Sequence, residues 1–148
     1  MANKKKLTIR TAAKPALVIS RPAFNAERLV YLAVANKALK YTHGKSCIAY
    51  IGTTKAGAAR IASSAAFRAK DLLALHGVTS LSFYVVTCAA RQRVKSWHKL
   101  EVGLILAFRH MYGTVPKCNV KGKNQQWSDE LEYFTRSRLE SVLKKHGT

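Results

Sequence analysis

A chain of 148 residues, 48% of them hydrophobic, is long enough to bury one core without disulfides or structural metal and too apolar for a disordered tail. No apolar run approaches the roughly 18 residues that a bilayer span needs, which argues against an integral membrane protein. With 26 Lys and Arg against seven Asp and Glu, the formal charge is +19, the balance of a polyanion binder.

The excess is localised. Between Met1 and Gln126 only Glu27, Asp71 and Glu101 are acidic, whereas residues 127–148 carry four charges of each sign. This footprint points to nucleic acid, ahead of a ribosomal or membrane-surface role. Cys47, Cys88 and Cys118 are odd in number, widely spaced and without a C-x-x-C pair. A reducing, cytoplasmic setting is therefore expected rather than a disulfide framework or zinc ribbon. The basic stretch Met1–Lys6 is not followed by an apolar segment and cleavage site, so no secretion signal is expected.

In chain order, residues 1–27 read as a basic arm in which Pro15 and Pro22 limit helix. Residues 28–126 form the expected core. Its first strands are Leu29–Ala35 and Ser46–Ile51, joined by the polar, glycine-containing stretch Asn36–Lys45 as a long hairpin loop. Thr53–Gly57 leads into an alanine-rich helix over Ala58–Leu75, ended by His76-Gly77. A third strand, Ser80–Cys88, precedes a helix over Gln92–Tyr112 that stops at Gly113, with Pro116 beyond. Residues 127–148 supply a last helix, Ser128–Lys145, with Ser128 as N-cap and Lys144 and Lys145 near its end. That helix either packs on the core or forms a homodimer interface. The order β-β-α-β-α-α predicts an α+β fold, with helices on a small, mostly antiparallel three-stranded sheet.

Glu101 stands out in the second helix. At 100° per residue, Val94, Trp97, Ile105 and Phe108 share one face with Leu104 at its edge, and Glu101 lies in the middle of that face. An ionised carboxylate in an apolar stripe costs several kcal/mol unless it is compensated. Two readings follow: a Glu paired with a buried Arg or capped by backbone donors, or a cleft residue that holds a hard cation such as Mg²⁺. Mg²⁺ is typically bound by one or two carboxylates, waters and substrate phosphate oxygens. His98, three residues earlier, reads as a solvated histidine, since no H-E-x-x-H or Cys/His cluster accompanies it.

Tyr31 and Tyr50, as hairpin partners, can project from one face, although tyrosine is also an ordinary strand residue. Gly52 follows, and Thr53, Thr54 and Lys55 place hydroxyls, amides and a cation at a helix entrance, a natural phosphate site. Arg60 in that helix's first turn opposes the helix dipole, so a local stability role explains it poorly; a solvated surface Arg is the alternative.

These residues form an ordered set. Tyr50-Ile51-Gly52 is an intact Y-I-G, and Leu29-Val30-Tyr31 stands where G-I-Y would. Arg60 follows Gly52 by eight residues, and Leu100-Glu101 with Leu104-Ile105 and Pro116 through Asn119 come after it. Residues 29–119 thereby resemble the GIY-YIG nuclease superfamily, with Leu29-Val30 in place of Gly-Ile and Ser64 where many members carry His or Tyr. The resemblance implies a metal-dependent DNA endonuclease with Tyr31, Tyr50, Arg60 and Glu101 as catalytic residues. Glu101 would hold Mg²⁺, with Mn²⁺ able to substitute, on the leaving-oxygen side. Tyr31 would act as general base, Tyr50 would orient water or phosphate, and Arg60 would bind a non-bridging oxygen. Gly52 and Asn119 would be structural.

Lys45, Lys55, Lys117 and Lys121, with Arg60, are the expected nucleic-acid contacts, to DNA first and RNA as the open alternative. No membrane partner is expected, and no zinc finger, helix-turn-helix or RNA-recognition signature indicates base specificity. The competing expectation is a non-catalytic nucleic-acid-binding protein, either a degenerate nuclease or ribosomal-like.

Overall fold

The computed structural model describes residues 6–15, 28–56, 61, 63, 69–75 and 77–148. Residues 6–15 are exposed and carry no helix or strand. The fold is α+β, built on a three-stranded antiparallel sheet: β1 (Leu29–Tyr41), β2 (Gly44–Thr54) and β3 (Leu81–Val86), in the order β2-β1-β3. Its helices are α1 (Ser96–Tyr112), α2 (Glu130–Tyr133) and α3 (Arg136–Gly147). Residues 61, 63 and 69–73 are helical, and the remainder of the expected Ala58–Leu75 helix lies outside the described residues.

The hairpin differs from expectation. Strand pairing runs through the stretch expected as a loop, as far as Tyr41↔Gly44, leaving Thr42 and His43 as a two-residue turn. Buried Leu39 and Tyr41 alternate with exposed Lys40, a period-2 pattern that the polar Asn36-Lys37 pair interrupts. The register shifts between Val34 and Leu39, and Asn36 spends its side chain there: its Oδ1 accepts from the amides of Thr79 (3.0 Å) and Ser80 (3.2 Å). At the tip, the His43 amide donates to the Tyr112 carbonyl at 3.0 Å, satisfying one terminal carbonyl of α1. Gly113 closes α1 in the left-handed region (φ 78°), and a Cβ there would meet His43 Cδ2 at 2.5 Å.

The two later helices are also shorter than expected. Arg91 and Val94 form an isolated bridge with Arg93 at φ 62°, a left-handed conformation that no right-handed helix can include. α1 therefore starts at Ser96 rather than Gln92. The expected Ser128–Lys145 helix is broken by extended Phe134. Thr135, not Ser128, caps α3 by accepting from the Arg138 amide, while the Ser128 amide donates to Glu130 Oε2 at 2.7 Å. Lys99 on α1 pairs with Asp129 and ties this region back to the core.

Val30, Leu32, Ile48, Ile51, Leu72, Leu104, Phe108, Leu139 and Leu143 belong to one buried cluster. α1 is buried all round from Gly103 to Phe108: Gly103 packs on Leu139 of α3, and Ile105 lies against Gly122. Leu32, Ile51 and Tyr84 are register partners on one sheet face, and His146 of α3 stacks on Tyr84 with ring centroids 4.6 Å apart. The α1–α3 layer thus covers that face. Tyr31, Gly52 and Val85 project from the other. Among the described residues no helix is long and apolar enough to cross a membrane.

Candidate functional site

Tyr31 and Tyr50 meet over Gly52. Their ring centroids lie 5.9 Å apart at 44°, and Phe83 flanks Tyr31 at 6.3 Å. Tyr31 pairs with Gly52 across the strands, while Tyr50 precedes Gly52 by two on the same face, so both rings lean over the one position without a side chain. A Cβ at Gly52 would sit 2.6 Å from Tyr50 Cε1 and 2.8 Å from both Cζ and the hydroxyl of Tyr31. Tyr31 is 3% exposed, whereas Tyr50 is half-buried.

The backbone beneath this pair is held by Asn119. The Ile51 amide donates to Asn119 Oδ1, and Asn119 Nδ2 donates to the Ile51 carbonyl, both at 2.9 Å. One amide group thereby satisfies the outward donor and acceptor of an edge-strand residue, and the Cys118 amide adds a bond to the Ala49 carbonyl at 3.0 Å. Asn119 is a fixing residue, with its own side chain consumed by the clamp.

Glu101 is buried, at 5% exposure, on α1. Its Oε2 lies 3.2 Å from Lys121 Nζ and 3.7 Å from His98 Nδ1. Lys121, expected as a nucleic-acid contact, thus has its ammonium on the carboxylate while its side chain stays 51% exposed. Segment 116–121 links the two halves of the site: Asn119 grips β2 between Tyr50 and Gly52, and two residues later Lys121 reaches Glu101. Arg60 and Ser64 lie outside the described residues. Lys45, Lys55 and Lys117 are exposed.

Two residues near Glu101 were not singled out as site residues from sequence. The Arg28 guanidinium lies 4.9 Å from the Trp97 ring centroid, at the entrance to β1 and one turn before Glu101. Trp97 Nε1 is the buried side-chain polar atom that, among the described residues, has no hydrogen-bond partner. A buried orphan donor costs about 1–3 kcal/mol, and an indole N–H satisfies only an acceptor, such as a phosphate or water oxygen. The placement of Trp97 four residues before Glu101 was visible in the sequence; the orphaned donor was not.

No group of three or more His, Cys, Asp or Glu side chains capable of holding a metal ion occurs among the described residues. The donor set at Glu101 is one carboxylate with His98 nearby. That fits a hard cation completed by water and substrate oxygens, and does not fit an all-protein cage. Cys47, Cys88 and Cys118 are half-buried and form no disulfide. No family model, curated protein or solved structure matches the chain.

Proposed function

We propose that the chain is a metal-dependent DNA endonuclease of the GIY-YIG type. The observation that carries this reading is the pair of phenols packed over Gly52, where a methyl group finds no room. Support comes from the antiparallel β2-β1-β3 sheet, the Asn119 clamp on the Y-I-G strand and the buried carboxylate that this same loop reaches.

In this reading Tyr31 accepts the proton of the attacking water and Tyr50 orients the water or the phosphate. A phenol ordinarily ionises near pH ~10, so the base role requires strong local positive potential, which this reading assigns to Arg60, Lys55 and a bound metal. Arg60 binds a non-bridging oxygen and offsets charge that grows in the transition state. Glu101 would hold Mg²⁺, which would supply charge neutralisation to the leaving oxygen. Lys121, which pairs with that carboxylate in the structure, would then pair with a phosphate instead.

Glu101→Ala is expected to abolish Mg²⁺-dependent nicking of supercoiled plasmid while keeping or strengthening DNA binding, because a negative charge is removed. Normal cutting by the cleanly folded variant would sink the assignment. A binding-only function is favoured by one observation, the Glu101–Lys121 pair, in which an ammonium group compensates the buried carboxylate without any metal ion. On that account Glu101→Ala lowers stability, and wild type nicks nothing in Mg²⁺ or Mn²⁺.

A further inference from the structure

The hairpin tip and the segment after α1 enclose a notch of about 240 Å³, lined among others by Lys40, Lys117, Lys123, Thr42 and Thr114. Among the described residues no carboxylate lines it. Three ammonium groups around one concavity repel one another, and an anion between them would turn that repulsion into attraction.

The lysines stand on a fixed floor. The Tyr41 hydroxyl donates to the Ile48 carbonyl at 2.7 Å and accepts from the Lys117 amide at 3.1 Å, and the Lys117 ammonium lies 5.3 Å from the centroid of that ring. Thr42 belongs to the turn docked on the end of α1. The wall is shared with the phenol site, because Asn119 lines the notch and also clamps Ile51. Lys45, opposite Lys40 in the hairpin, extends the same positive strip.

We infer that this notch is an oxyanion subsite that takes a backbone phosphate of a nucleic-acid strand. It rests on the nucleic-acid part of the proposed function and is independent of cleavage. Hydroxyls and mobile ammonium groups suit phosphate oxygens and carry no base code, so the subsite positions the strand rather than reading it.

The test compares Lys117→Gln/Lys123→Gln with the charge-matched pair Lys144→Gln/Lys145→Gln on α3. Binding of a fluorescent 20-base-pair duplex is followed by anisotropy from 50 to 300 mM NaCl, in chelator to suppress cutting. Two lost phosphate contacts should flatten the salt slope by about 1.8 and weaken binding roughly 30-fold near 0.15 M salt. The α3 pair should change far less. Equal losses in both variants, or none in the notch variant, overturn the inference. In wild type, titrated orthophosphate should shift the amide resonances of Thr42, Thr114 and Lys117, and added duplex should displace it. Orthophosphate that duplex cannot displace would assign the notch to free phosphate and overturn the nucleic-acid assignment. A protein that binds through the notch yet never nicks plasmid would fail the nuclease reading alone.

Discussion

A methyl group at position 52 would have to push two tyrosine rings aside, since its contacts at 2.6 and 2.8 Å are with Tyr50 and Tyr31. Gly52→Ala is therefore expected to cost about 1–3 kcal/mol by overpacking and, under the proposed nuclease function, to lower cleavage well beyond what its folded fraction explains. Urea denaturation beside single-turnover cleavage separates the two effects. Asn119→Ala leaves the Ile51 amide and carbonyl buried without partners, a loss of about 2–4 kcal/mol. Hydrogen exchange at Ile51 should accelerate accordingly; unchanged exchange would mean that the edge finds other partners. The Y-I-G and the distant Asn were legible in sequence as residues worth watching. Their bonding was not, because 68 residues separate Asn119 from Ile51. Glu101 shows the same division. Its place in an apolar helical face follows from 3.6-residue periodicity, but Lys121, twenty residues on, is brought to it only by the turn after α1.

At the scale of elements, α3 is pinned to the sheet by His146 on Tyr84. Burial, with Lys145 adding to it, holds the His146 pKa below its ordinary 6.5. The neutral ring is the folded form, so this contribution is complete above the unfolded value and is lost as pH falls through the lowered folded one. Stability should drop on going from pH 7.5 to 5.5, and His146→Phe, which keeps a ring on Tyr84, should flatten that dependence. Thermal melts across the range check it; an unaltered profile would place the effect elsewhere. The Lys99–Asp129 pair does not interfere, because the hydrogen bond from Lys99 lowers the Asp129 pKa and its titration lies at more acid pH. Element boundaries show where local patterns mislead. The hairpin was longer than its polar middle suggested because β3's side of the fold absorbs Asn36, and the last helix was broken because Thr135 caps better than the chain before it. The second helix showed one apolar face in sequence; its Gly103–Phe108 turns are buried all round because α3 and the 115–122 segment cover opposite sides.

For the whole molecule, a charge of +19 on 148 residues is self-repulsive, and screening should relieve it. Raising NaCl from 50 to 500 mM is expected to increase the melting temperature by a few degrees in the absence of nucleic acid. With duplex present at low salt the protein should melt higher still by linkage, and that increment should vanish at high salt. Scanning calorimetry of the four combinations decides it. Composition, alternation and charge placement were enough for an α+β chain with a basic body and a neutral end, because each is a property of neighbours or of sums. Register, the Glu101–Lys121 pair, the clamp on Ile51 and the lysine-lined notch arise between residues far apart in the chain. Such contacts exist only after β1 has paired with both neighbours and α1 has packed behind them, so no local pattern carries them.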